Sequence, residues 1–177
     1  RKMYATPPDT ALAQDLQRRF AFSLQVPQVY DRVVRGTDQG DSLVIVRNDN
    51  PDPSQLIRSV LVTWRPKVDS LTKSGAFEWR SEIDGTQYNV AQRINDTHSN
   101  AIYFKWEGRD ALEVTGIWED ERGNFPAAGP FIVWLVDCPT RTYMIDAWLY
   151  APNEPKYEYM LQLQEILSSF RCASMNE

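Results

Sequence analysis

One histidine, two cysteines and 24 carboxylates bound the side-chain chemistry open to this chain of 177 residues. His98 is the sole histidine and sits in the polar stretch Asn95-Asp96-Thr97-His98-Ser99-Asn100. A Ser-His or Cys-His nucleophilic machine would have to use it, yet no nucleophile motif lies nearby, so it reads as a solvated loop histidine. Cys138 and Cys172 with one histidine do not supply four zinc ligands at metal spacing. None of the 8 glycines falls in the spacing of a phosphate-cradling loop. No catalytic residue, metal ligand or cofactor is therefore assigned. Among the carboxylates, Glu113, Glu119 and Asp146 fall on neighbouring strands and are the candidates for the acid and base of a glycosidase-like hydrolase. Against that, Glu113 reads better as the exposed cross-strand partner of Lys105, and Asp146 as a polar residue on a half-solvated strand.

The 6 tryptophans and 8 tyrosines offer a different chemistry. Trp134, Met144, Trp148 and Tyr150 share one sheet face in the hairpin register given below. Either helices cover that face and the aromatics are core, or it is an open platform for a sugar, a peptide or another protein. The candidate binding residues are Trp118, Glu119, Phe125, Trp148 and Tyr150, grouped around the segment from Asp120 to Gly129.

Bulk properties narrow the partners. Lys and Arg total 19 against 24 Asp and Glu, with no basic run, so the footprint for a phosphate backbone is missing and nucleic acid is not a partner. Apolar runs such as Phe131 to Val136 fall far short of the ~20 residues that span a bilayer. With 42% hydrophobic and 24% charged residues, one core needs no metal, and one domain over residues 1–177 is expected.

The elements that must position these residues follow from periodicity. Thr6 with Pro7 and Pro8 is a helix-start signal, and Leu12, Leu16 and Phe20 give that helix one apolar stripe. Phe20 to Val26 alternates as an edge strand stopped by Pro27. Val29 to Val34 and Ser42 to Arg47 are strands around the turn Gly36 to Asp41. Leu56 to Trp64 is a strand, because Pro66 would break a helix there at a cost of ~3 kcal/mol. Ser70 or Thr72 caps a helix that places Ala76, Trp79, Arg80 and Ile83 on one face and stops before Gly85. A hairpin follows in which Glu107 faces Ala111, Trp106 meets Leu112, and Lys105 meets Glu113. Trp118 falls on the buried face of its strand with Leu112 and Val114. In the next hairpin, Asp137 faces Arg141, Leu135 meets Tyr143 and Phe131 meets Ala147. Phe131 to Val136 is apolar on both faces and reads as a covered central strand. A closing helix from about Asn153 carries the stripe Tyr159, Met160, Leu163, Ile166, Leu167 and Phe170 and must pack on the sheet. The fold class is α/β in the α+β sense: a mostly antiparallel sheet with N-terminal and C-terminal helices packed on it.

The run Gly116-Ile117-Trp118-Glu119, then Gly129-Pro130-Phe131, Tyr150-Ala151-Pro152 and a helix ending Ser168-Ser169-Phe170 closely resembles the bacterial envelope lipoproteins of domain-of-unknown-function family 4837. The sequence departs from the family pattern at Pro126-Ala127-Ala128, which lacks the usual methionine and second glycine, and at Tyr157, where the family has arginine. The layout is also similar to the α/β sandwich of PsbP and the Ran-binding factor Mog. The resemblance implies a cell-envelope location, an upstream secretory signal and lipid-bearing cysteine, and an envelope protein, peptide or glycan as partner. The function expected is a non-enzymatic binding or assembly module; the alternative is a small hydrolase using Glu119 with a second acid. In an exported chain Cys138 and Cys172 would tend to pair. The strand from Arg141 and the returning helix bring the two cysteines to one end of the sheet, which leaves a disulfide or two buried thiols open.

Overall fold

The computed structural model describes residues 6–33, 43–87, 91–121 and 127–173. Helix α1 (Thr10–Phe20) leads into β1 (Phe22–Ser23), β2 (Asp31–Val33), β3 (Leu43–Asn48) and β4 (Ile57–Pro66). After α2 (Lys73–Gln87) come β5 (Gln92–Trp106), β6 (Arg109–Asp120), β7 (Ala128–Asp137) and β8 (Arg141–Tyr150), then α3 (Lys156–Ser168) and β9 (Arg171–Cys172). Seven strands form one antiparallel sheet in the order β2-β3-β4-β8-β7-β6-β5, and β1 pairs with β9 in a small second sheet.

Both faces of the central strands are covered, which is why Phe131 to Val136 is apolar throughout. Leu112, Val114, Trp118, Phe131, Val133, Leu135, Met144 and Trp148 form one core with Ala76 and Trp79 of α2. On the other face, Ile132, Trp134, Val136, Tyr143, Ile145 and Ala147 pack with Leu16 of α1, with Phe22, and with Leu163, Ile166, Leu167 and Phe170. The apolar stripe of the closing helix is therefore its packing face.

Several expectations are corrected. Asp9, not Thr6, caps α1: its Oδ1 accepts the Leu12 N–H at 2.9 Å, and both prolines precede the helix. The expected strand from Phe20 shrinks to two residues, because α1 runs through Phe20 and ends on Ala21 in the left-handed region (φ 59°), whose N–H returns to the Gln17 carbonyl. Thr72 does cap α2, accepting the Gly75 N–H at 3.0 Å, but the helix continues through Gly85. α3 starts at Lys156 rather than Asn153. The turn Gly36 to Asp41 lies outside the described residues.

Both hairpin registers differ from expectation. Around β5 and β6 the loop is only Glu107-Gly108, with φ of 49° and 78°, so Trp106 pairs with Arg109 and Phe104 with Ala111. Two positive φ values give the turn whose twist matches that of the strands, and this overrides side-chain pairing. Lys105 then pairs with Asp110 at 2.7 Å instead of Glu113. Between β7 and β8 the register moves by one, to Phe131 with Trp148 and Leu135 with Met144. A one-residue slip exchanges faces. Trp134 consequently leaves the face of Met144 and Trp148 and joins Phe104 and Trp106, each 5.0 Å away between ring centroids.

Candidate functional site

The segment that carries the sequence motif is a packing lock. Trp118 on β6 is buried with its indole edge-on to Trp148, 5.5 Å between centroids, and 6.3 Å from Tyr150. Its Nε1–H donates to the Leu149 carbonyl at 3.1 Å. Gly129 lies opposite Trp118, and a Cβ there would stand 1.9 Å from the Leu149 oxygen and 2.9 Å from Trp118 Nε1. Gly116 likewise makes room for the Phe131 ring opposite it, 2.9 Å from where a Cβ would be. Those glycines are needed for close approach between strands. Trp118 and Trp148 are core residues and form no open platform; Tyr150 is half-buried on the same cluster. Phe125 lies outside the described residues.

Glu119 points to the opposite face from Trp118. Its carboxylate accepts from Arg93 Nη2 at 2.7 Å and from Asn95 Nδ2 at 2.9 Å. These bonds, the Arg93 one first, hold its pKa below the usual carboxylate range. A glycosidase acid needs the reverse shift. His98 is exposed on β5 itself rather than in a loop, with Nδ1 3.0 Å from Thr97 Oγ1, within the irregularity between Asn95 and Asn100.

The other two carboxylates go elsewhere. Glu113 accepts the Trp134 indole N–H at 2.8 Å. It shares a face with Glu119 but lies six residues along the strand, ~20 Å away, against the ~5 to ~10 Å that separates glycosidase carboxyls. Asp146 is on the opposite face and buried, not half-solvated, because α2 covers it. Its Oδ2 meets Arg80 Nε at 2.8 Å; Arg80 also donates to Gln92 Oε1 and stacks over the Phe131 ring at 4.8 Å. This ion pair ties α2 to the middle of the sheet. The sequence hid it because 66 positions separate the partners. The three carboxylates do not converge. Among the described residues no group of His, Cys, Asp and Glu is placed to hold a metal ion, and no helix is long and apolar enough to cross a membrane.

Two further features stand out. Cys138 and Cys172 are joined by a disulfide, Cα atoms 5.7 Å apart, that ties the segment after α3 to the end of β7. At the outer edge of the sheet, β5 exposes Ile102 (54%) and Tyr103 (67%) on opposite faces, Tyr103 on the α2 side where its hydroxyl donates to the Leu71 carbonyl at 2.9 Å. Among the described residues no strand pairs with that edge. Sequence reasoning placed Ile102 and Tyr103 on a strand but had no signal for its edge position, which depends on the order of all seven strands.

An antiparallel sheet with α2 on one face and α1 and α3 on the other defines an α/β sandwich of the PsbP/Mog type. The cyanobacterial PsbP (CyanoP) of Synechocystis sp. PCC 6803 superposes with a TM-score of 0.56 at 13% identity, over 87% of this chain and 88% of that one. The Saccharomyces cerevisiae Ran-binding protein Mog1p gives 0.53 at 14% identity, over 87% and 91%. A Bacteroides thetaiotaomicron protein gives 0.50 at 10% identity, over 89% of this chain and 47% of the other. The chain belongs to the domain-of-unknown-function family DUF4837, whose model matches residues 9–169. No curated protein sequence matches it.

Proposed function

We propose that this domain is a non-enzymatic protein-binding module of a bacterial cell envelope, and that it takes an extended segment of an envelope partner onto the free edge of β5. The observation that carries the reading is that edge, a strand of 15 residues that exposes Ile102 on one face and Tyr103 on the other. Unpaired N–H and C=O groups along an edge are a template for an added strand, with adjacent side chains giving specificity. The Cys138–Cys172 disulfide supports an oxidising compartment such as the periplasm. The lipoprotein character implied by the family resemblance belongs to the same proposal. Mog1p, a Ran-binding protein by name, is a precedent for protein recognition by a domain of this fold.

The test is a photoreactive phenylalanine analogue at Ile102 in the cell of origin, with Tyr157 on α3, more exposed than Ile102 (72% against 54%), as control position. A discrete protein adduct from Ile102 alone, in the envelope fraction, is expected. Equal adducts from both positions, or none from Ile102, would overturn the edge. Turnover of a glycan lost in Glu119→Gln would instead establish the hydrolase.

A further inference from the structure

A second surface lies at the other side of the sheet. Phe20, the last residue of α1, and Trp64 on β4 are half-buried with ring centroids 5.3 Å apart. The Arg19 and Arg32 guanidiniums stand 5.2 and 5.4 Å from the Phe20 ring, and that of Arg141 stands 5.8 Å from Trp64 and 5.9 Å from Tyr143. One carboxylate, Asp15, answers three of the cations: it lies 3.7 Å from Arg18, 3.6 Å from Arg19 and 3.4 Å from Arg32. On a chain of formal net charge −5, this is a local cationic excess built around two aromatic rings.

We propose that this surface docks an acidic segment of a partner protein. A guanidinium resting on a ring keeps its planar fork of N–H donors at the rim, and that fork matches a carboxylate in a bidentate way. Arg32, only 28% exposed and held by both Phe20 and Asp15, is already ordered, so little side-chain freedom is lost when it binds. The half-buried aromatic centre offers the desolvated contact that the cationic rim surrounds. An anionic bilayer fits less well. Phe20 and Trp64 do not protrude to insert among lipids, and the net charge of the chain opposes approach to an anionic membrane. This inference does not rest on the β5 edge: its strand residues lie on β2, β4 and β8, from the other end of the strand order to its middle.

The experiment titrates the isotope-labelled full chain with a polyglutamate peptide and follows backbone amide shifts. In a second arm, vesicles of phosphatidylcholine and phosphatidylglycerol replace the peptide. The proposal expects shifts confined to amides around Arg19 to Phe22, Arg32, Trp64 and Arg141. Binding should weaken about fivefold between ~50 and ~300 mM salt and about tenfold or more in Arg18→Glu/Arg19→Glu/Arg141→Glu. Should the triple variant unfold, Arg18→Glu alone, whose side chain is 76% exposed, is expected to weaken binding about threefold with an unchanged Tm. No shifts, shifts centred on β5 or elsewhere, or binding to the vesicles without binding to the peptide would overturn it.

Discussion

Removing one partner of the Arg80–Asp146 pair should be among the most damaging single changes in the domain, whereas removing both should be tolerated. The side chains are 1% and 0% exposed, and the 2.8 Å contact sits between α2 and the central strand β8. Asp146→Asn leaves a buried guanidinium that retains Gln92 and the Phe131 ring, so a loss of ~3 kcal/mol is expected. Arg80→Met takes the guanidinium away from a buried carboxylate on a strand whose cross-strand neighbours there are Leu61 and Val133, and the loss should approach ~5 kcal/mol. In Arg80→Met/Asp146→Leu both charges are gone at similar volume but the buried Gln92 loses its Arg80 donor, and the loss should fall to ~2 kcal/mol, since buried ion pairs are often replaceable by packing. Urea unfolding followed by tryptophan fluorescence measures all four corners of the cycle. Single losses below ~1 kcal/mol that simply add in the double variant would refute the reasoning, because they would mean that both charges reach water.

Trp118→Ala should cost ~3 to ~5 kcal/mol by leaving a cavity beside Trp148 and an unpaired Leu149 carbonyl, and a loss below ~1 kcal/mol in urea would show that the indole is not core. Opening the Cys138–Cys172 disulfide, which closes 34 residues, should lower stability by ~4 kcal/mol, and thiol titration of the unreduced, denatured protein should find none free. Burial pushes the Tyr30 phenol from 10.0 up to about 12, outweighing the opposing field of Arg58. A group whose pKa is higher folded than unfolded contributes stability that is complete below the unfolded value and is lost as pH rises through the folded one. The window is therefore pH 10 to 12, over which ~2 to ~3 kcal/mol should disappear. Tyr30→Phe should flatten that alkaline loss without lowering stability at neutral pH, since the hydroxyl has no hydrogen-bond partner among the described residues.

What was legible in the sequence is what depends on local pattern. The stripe from Tyr159 to Phe170 makes α3 a packing helix wherever it sits, Pro66 excludes a helix over β4, and the two-faced apolar run of β7 implies cover on both sides. Register was not legible. The β5–β6 turn places Glu107 in the left-handed region, which an acidic residue signals poorly, and the three-residue difference that follows reassigns each cross-strand partner. The candidate site shared this limit. A lone aspartate on a strand reads as solvent-facing, and nothing near Asp146 in sequence announces that Arg80 reaches it from α2. The motif around Trp118, Gly129 and Tyr150 could be seen as a unit, but that Gly129 exists to admit the Leu149 carbonyl depends on β8 lying beside β7.

The binding account is tested most directly at the backbone of Tyr103. With a two-residue loop at Glu107-Gly108, Trp106 and Arg109 form the hydrogen-bonded pair, and the alternation along the hairpin turns the N–H of Tyr103 toward the free edge. Tyr103→Pro therefore removes a donor that an added strand would use while leaving the β5–β6 ladder intact, and Tyr103→Ala removes only the side chain. The measurement is the yield of the Ile102 photoadduct in each background, with Tm as a check on folding. The account predicts that the adduct survives Tyr103→Ala, at reduced yield, and disappears in Tyr103→Pro with the fold retained. An adduct of equal yield in both variants would contradict strand addition at β5.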